Sequence, residues 1–197
     1  DDVVECYRIA GKSNKAEEVV RARLAENETP RMYAALGDIT RDPKYFERSL
    51  ELSHGKYYDS HVALGKYYFE KGDLKSALKH YLDGLEIKPL LPQVWFRVGT
   101  ISMQLKDWDT ALKAFTEVVQ QEPEEGDAWA NVAAIHIRRR NPAEAYPALL
   151  ESLKQNRNNW RVWHSKLYTC IDLKKYDEAI QACVELINLK ARRNASE

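Results

Sequence analysis

Apolar residues recur along the chain in helical runs that turn residues interrupt. The stretch from His61 to Phe69 has the apolar period of a helix, and Lys71-Gly72-Asp73 breaks it. A second amphipathic run extends over 74–87 and ends at Pro89, because a proline ring cannot continue a helix and disfavours helix in the preceding residue. This segment therefore predicts a helix, a turn and a second helix.

The same pattern returns every 34 residues. Five columns keep this spacing: Ala77, Ala111, Ala145 and Ala179; Tyr81, Phe115, Leu149 and Cys183; Trp95, Trp129 and Trp163 with His61 in their register; Gly65 and Gly99; and Pro89 and Pro123. A period of this length is typical of helical repeat arrays. Small residues let two antiparallel helices approach closely, so we interpret the glycine and alanine columns as packing positions and the tryptophan column as core.

The motif Leu64-Gly65-x-x-Tyr68, followed by Ala77-x-x-x-Tyr81 and Pro89, resembles the tetratricopeptide repeat. The resemblance implies an all-α fold, a right-handed superhelical solenoid of about twelve helices in antiparallel pairs. The predicted units are 1–29, a truncated helix-pair repeat; 30–57, a shortened repeat; 58–91, 92–125 and 126–159, full repeats; and 160–197, a repeat with a C-terminal extension, all in one continuous solenoid. In the third and fourth full repeats Ala133 and Leu167 replace the glycine.

Further motifs are similar to those of one group of larger proteins within this family. They are Leu36-Gly37-Asp38, Val94-Trp95-Phe96, Asp127-Ala128-Trp129 and the stretch 159–163. That second resemblance implies a non-catalytic assembly factor linked to mRNA splicing, through maturation of the spliceosomal ribonucleoprotein, and to chaperone pathways. The chain starts at Asp1 without a methionine, so we expect it to be a piece of a longer protein.

Composition narrows the function classes. Thirty Lys and Arg balance thirty Asp and Glu, which argues against nonspecific coating of nucleic acid. No stretch approaches the roughly 18 apolar residues of a membrane-spanning helix, so we expect no membrane partner.

The three cysteines include no C-x-x-C pair, which favours a reducing compartment, and we expect a cytoplasmic location, a nuclear one or both. We interpret Cys170 and Cys183 as inward packing residues.

Motifs for catalysis are missing from the sequence. Neither of the common glycine-rich phosphate-binding motifs occurs. The five histidines are His54, His61, His80, His136 and His164; no two of them are four residues apart, and none has a cysteine at metal-ligand spacing. We therefore predict no catalytic residues, no cofactor and no metal, and a protein that is not an enzyme.

The repeat register predicts a concave groove lined by the first helix of each unit. Its candidate partner-binding residues are Lys66, Phe69, Phe96, Arg97, Thr100, Asn131, Arg138, Arg161, His164 and Tyr168. Aromatic, amide and cationic groups together suit an extended or helical protein segment of acidic character. The predicted function is a protein-binding scaffold, an assembly or co-chaperone-type adaptor for a larger ribonucleoprotein complex. Two alternatives stay open: a structural spacer within a larger assembly, and an RNA-binding helical repeat that would use Arg138-Arg139-Arg140.

Overall fold

The computed structural model of the chain describes residues 13–194. These residues form eleven α-helices and no β-strand. The helices are α1 Ser13–Glu26, α2 Pro30–Thr40, α3 Pro43–Leu52, α4 Tyr58–Glu70, α5 Leu74–Ile87, α6 Pro92–Gln104, α7 Trp108–Gln121, α8 Gly126–Arg138, α9 Pro142–Gln155, α10 Trp160–Asp172 and α11 Tyr176–Asn194. The all-α prediction is confirmed, and the helix count is close to the expected one. The start of unit 1–29 and the last residues of unit 160–197 lie outside the described residues.

Two compact units divide between Val94 and Trp95, in the first turn of α6. In the first unit, consecutive helices from α1 to α5 pack on one another, and α2 also contacts α4. In the second unit, consecutive helices from α7 to α11 do the same, and α8 also contacts α10. The first helices of neighbouring helix pairs therefore touch within each unit. None of the described helices is long and apolar enough to cross a membrane.

The turn inside each full repeat uses one left-handed residue. Gly72, Lys106, Arg140 and Lys174 stand 34 residues apart, with φ of 79, 61, 54 and 59°. In each case the next backbone N–H donates to a carbonyl five residues upstream, as Asp73 does to Tyr68 at 2.9 Å. This closure satisfies carbonyls at the helix end and requires a left-handed residue just before the donor. Glycine adopts that conformation without strain, yet only one of the four turns has it.

Glycine and aromatic residues form the crossing inside the first two full repeats. A Cβ on Gly65 would lie 2.8 Å from the ring of Tyr81, and one on Gly99 would lie 2.7 Å from the ring of Phe115. Both rings are fully buried. The interpretation of these glycines as packing positions is therefore correct, because any side chain there would displace a core ring.

The later repeats carry a different pair of residues in the same register. Ala133 stands opposite Leu149 in the third repeat, and both are buried. In the fourth repeat Leu167 replaces the glycine and Cys183 takes the aromatic column. Cys170 is buried as expected, and burial raises the pKa of its thiol. The expectation that Cys183 points inward is wrong: its side chain is exposed, since α11 is the last described helix and no described helix covers that side.

The prediction that the tryptophan column is core is confirmed for Trp95 and Trp163, which are buried, whereas Trp129 is only partly buried. The indole N–H of Trp129 donates to the carbonyl of Pro123 at 2.8 Å, and the indole N–H of Trp163 donates to that of Arg157 at the same distance. Each acceptor lies six residues before its tryptophan. These two hydrogen bonds therefore connect the first turns of α8 and α10 to the loops that precede them.

Candidate partner-binding surface

Three aromatic residues form a row on the outer face of α10. Trp160, His164 and Tyr168 are spaced by four residues, which brings them to one face of a helix. The ring centroids of Trp160 and His164 are 6.4 Å apart, and those of His164 and Tyr168 are 4.9 Å apart. The guanidinium of Arg161 lies 5.7 Å from the Trp160 ring centroid. We name these four residues the α10 aromatic row.

The α10 aromatic row is not needed for the core. Trp160 is 52% exposed and Tyr168 is 57% exposed. The opposite face of the helix supplies the buried residues Val162, Trp163 and Cys170. Isolated apolar residues are common on protein surfaces, but three adjoining rings with a cation beside them are not explained by folding. Such a surface suits contact with another molecule.

The structure brings Arg161, His164 and Tyr168 together, but it gives Phe96, Thr100 and Arg138 other contacts. Phe96 packs edge-on against Phe115, with centroids 5.3 Å apart, and the Thr100 hydroxyl donates to the Phe96 carbonyl at 2.9 Å. The guanidinium of Arg138 lies 4.9 Å from the ring centroid of Trp108, at the start of α7.

Arg97 is exposed on α6 and Asn131 is partly buried on α8. In the first unit Lys66 is exposed and Phe69 is partly buried, both on α4. Their use by a partner stays a prediction.

Trp160 is a member of the row that sequence reasoning missed. Trp160 lies three residues before Trp163 and does not belong to the tryptophan column. A signal was present, because Trp160 precedes His164 by one helical turn and its column, which also holds Tyr58, Pro92 and Gly126, does not require an aromatic residue. The row could thus have been found by reading each column for residues that the core does not require.

A cavity of about 370 Å³ lies on the other side of α10, between α9, α10 and α11. Its lining residues are Leu150, Leu153, Lys154, Arg157, Trp163, Lys166 and Gln181. Lys166 is only 5% exposed, and its ammonium lies 5.2 Å from the Trp163 ring centroid. The cavity therefore combines an apolar floor with cationic groups.

A polar contact joins α9 to α11. The hydroxyl of Tyr146 donates to the carboxylate of Glu178, and the ammonium of Lys175 lies 3.7 Å from the Tyr146 ring centroid. The hydrogen bond from Tyr146 lowers the pKa of Glu178. Burial, together with this hydrogen bond to Glu178, raises the pKa of Tyr146. This cluster fastens two helices and presents no group for chemistry on a substrate.

One group of side chains has the composition of a metal site. His61 on α4 and His80 and Asp83 on α5 place one possible ligand atom each within 4.8 Å of one another. Sequence reasoning missed them because the two histidines are separated by a turn and lie on different helices. Only the packing of α4 on α5 brings them together.

Helix pairs with a 34-residue period, a left-handed residue in the turn of each pair, and a buried alanine in the second helix of each pair define a helical repeat protein. Two family models, both described as tetratricopeptide repeat, match the chain, one at residues 102–167 and the other at 58–89 and 161–193. The chain therefore belongs to the tetratricopeptide repeat family. Members of this family are typically non-catalytic and bind other proteins.

Two longer proteins are similar in sequence to this chain over nearly its whole length. The chain is 44% identical over 98% of its length to a tetratricopeptide repeat protein 27 homolog of Dictyostelium discoideum, and covers 23% of that protein. This similarity confirms the second resemblance, which was to tetratricopeptide repeat protein 27; the placement in the C-terminal region of that protein stays a prediction. The chain is also 30% identical, over 94% of its length, to essential for maintenance of the cell wall protein 1 of Saccharomyces cerevisiae, of which it covers 21%. It thus spans about a quarter or less of the length of these two relatives.

Solved structures share the fold at low sequence identity. YrrB, described as a tetratricopeptide repeat protein with an unusual peptide-binding site, superposes with a TM-score of 0.76 at 15% identity, over 89% of this chain and 94% of that one. MamA superposes with a TM-score of 0.73 at 15% identity, over 86% of this chain and 96% of that one. These similarities establish the architecture alone.

Proposed function

We propose that this chain is a non-catalytic interaction scaffold that binds an acidic segment of a partner protein along α10. The observation that carries the proposal is the α10 aromatic row, in which exposed rings lie in contact beside a guanidinium. Tryptophan, tyrosine and arginine are the residue types that dominate binding energy at protein interfaces.

The chemistry of the row defines the partner segment. Rings of this size offer a broad apolar contact at a low cost in conformational entropy. Arg161 supplies charge-assisted hydrogen bonds to a carboxylate, and Asn131 on the neighbouring first helix α8 can pair with the backbone of an extended segment. A segment with an aromatic or aliphatic residue close to an aspartate or glutamate would satisfy both kinds of contact.

The wider role that we propose is an assembly or co-chaperone-type adaptor for a larger ribonucleoprotein complex, in the cytoplasm, the nucleus or both. This role is what the resemblance to tetratricopeptide repeat protein 27 implies, and the sequence similarity supports the resemblance alone. Chaperones and proteins of spliceosomal ribonucleoprotein assembly are the partners that this role predicts.

Quantitative affinity capture from cell extract tests the proposal with the full-length protein and three variants. Trp160→Ala and Tyr168→Ala each remove a ring of the row, and Tyr176→Ala removes an equally exposed ring from α11 as the matched control. We expect both row variants to lose the same set of captured proteins, by about tenfold or more per ring, and the control to keep them. Equal capture by all variants would rule out the row as the binding surface.

Salt dependence and nuclease treatment distinguish the RNA alternative. A complex that forms through phosphate contacts weakens steeply as salt rises and disappears after nuclease treatment. We expect capture through the row to survive nuclease. A complex that nuclease destroys and that both row variants retain would favour the RNA-binding repeat instead.

A further inference from the structure

Two histidines face each other where the other full repeats have a tryptophan and an alanine. His61 occupies the column of Trp95, Trp129 and Trp163. His80 occupies the column of the buried residues Ala114, Ala148 and Ala182. Both exchanges occur in the same repeat, and they replace an indole and a methyl group by two imidazoles in contact, with ring centroids 5.6 Å apart.

A hydrogen bond to a backbone carbonyl determines which nitrogen of the His61 ring carries the proton. Its Nε2 lies 3.1 Å from the carbonyl oxygen of Gly55, which can only accept a hydrogen bond. Gly55 lies six residues upstream, as do the carbonyls that accept from the indoles of Trp129 and Trp163. The register of the repeat therefore assigns the proton to Nε2. In the neutral ring Nδ1 is then left with a lone pair.

Two further possible ligand atoms lie close to Nδ1 of His61. The Nδ1 atoms of His61 and His80 are 3.3 Å apart, and Oδ2 of Asp83 is 4.0 Å from Nδ1 of His61. Two nitrogens bound to a tetrahedral zinc ion at about 2.05 Å are separated by about 3.3 Å. His80 and Asp83 lie one turn apart on α5, so one helix supplies two ligands and the facing helix supplies the third. The three ligand atoms lie within 4.8 Å of one another, and at 39% exposure the Asp83 side chain has room to turn towards the histidines.

The surroundings hold the two rings in place. The Tyr68 ring stacks on His80, with centroids 5.5 Å apart and planes at 2°. The Gly55 carbonyl orients His61 from behind, in the way that an outer hydrogen-bond partner orients a metal-binding histidine. The His61 side chain is 8% exposed. An ion in this position would be shielded by the helix pair and open to solvent beside Asp83.

We propose that His61, His80 and Asp83 bind one divalent transition-metal ion of the zinc class, with water at the fourth position. Two imidazoles and a carboxylate form a donor set that suits zinc. The ion would join α4 to α5 and stabilise this repeat, because a metal that binds only the folded chain raises its stability. The alternative is that Nδ1–H of His80 donates a hydrogen bond to Nδ1 of His61 and that the two rings fill the space that a tryptophan fills elsewhere.

Metal titration of the full-length protein separates the two explanations. Isothermal titration with Zn²⁺ and visible absorption of Co²⁺ at the same site are measured for the wild type, for His80→Ala, and for the double variant His61→Trp with His80→Ala. The double variant restores the residues of the other repeats, so it is expected to keep the helical fold. His136→Gln removes a histidine of the second unit and is the matched control.

We expect one ion per chain, tetrahedral Co²⁺ absorption and a rise in melting temperature with Zn²⁺ for the wild type and the control. His80→Ala should weaken Zn²⁺ binding at least about tenfold, and the double variant should lose the site while its circular dichroism is unchanged. Zinc binding that is equally tight in the wild type and the double variant would overturn the proposal. So would the absence of binding by the wild type.

Discussion

Replacement of Gly99 by alanine tests whether the small column is a packing requirement. A Cβ at this position would lie 2.7–2.9 Å from three ring carbons of Phe115, a buried side chain that cannot move aside without cost. Overpacking of a tight core destabilises a protein by about 1–3 kcal/mol. Alanine is favoured over glycine inside a helix by about 0.8–1.0 kcal/mol, which offsets part of that loss. The expected net destabilisation is therefore about 0–2 kcal/mol.

Gly84→Ala is the control for helix propensity. Gly84 is also inside a helix, but a Cβ there would meet its nearest neighbour, Cβ of His61, at 3.4 Å, an ordinary contact. We expect this variant to be more stable than the wild type by up to about 1 kcal/mol. Urea unfolding should separate the two variants by about 1–3 kcal/mol, which is the overpacking cost alone.

A second substitution identifies the ring as the cause. Phe115→Leu in the Gly99→Ala background produces the pair that the third repeat carries, Ala133 with Leu149. We expect the double variant to be at least about 1 kcal/mol more stable than the sum of the single effects. If Gly99→Ala stabilises the protein as much as Gly84→Ala does, or if the double variant is simply additive, our account of the crossing is refuted.

Two further predictions concern the turns and the contact between α9 and α11. Lys106→Gly should stabilise the chain by about 0.5–1 kcal/mol, because it relieves a left-handed φ of 61°, whereas Gly72→Ala, at φ 79°, should destabilise it; urea unfolding measures both. Tyr146→Phe should cost at most about 1 kcal/mol at neutral pH, since Glu178 is partly exposed. The hydrogen bond lowers the pKa of folded Glu178, so its stabilising effect is present above the unfolded pKa and is lost as pH falls through the folded one. The difference in stability between the wild type and Tyr146→Phe should therefore begin to shrink as pH falls below the unfolded pKa of about 4.3 and vanish below the folded one, and a difference that persists in strong acid would exclude Glu178 as the partner.

Local signals explain why so much of the fold can be read from the sequence. A proline ends a helix and a small residue marks a crossing, and both signals act within one repeat. Asp73 and Asp107 cap α5 and α7 by accepting hydrogen bonds from the backbone N–H groups of Ser76 and Thr110, as their place after the turn would suggest. These signals recur every 34 residues, so several repeats support the same fold prediction. A misread signal in one repeat therefore does not change the predicted fold.

Features that depend on contacts between helices could not be read in the same way. The residues in the column of Cys183 are buried in the other three full repeats. Cys183 is exposed because α11 is the last of the described helices. The approach of His61 to His80 depends on how α4 packs on α5. Trp160 is visible in the sequence, but its exposure depends on whether another helix packs over that face of α10. Surfaces and sites therefore required the structure, although the scaffold did not.

The exchange of side-chain volume across each crossing has a consequence for how such a chain can evolve. Gly65 with Tyr81, and Ala133 with Leu149, are matched pairs in which both members belong to one repeat. A mutation at one member can be compensated by a mutation nearby in the same gene segment, without any change in neighbouring repeats. The crossing inside each repeat can therefore change independently of the other crossings. A recombination event that transfers a complete repeat preserves that crossing, whereas one that cuts between its two helices mismatches it.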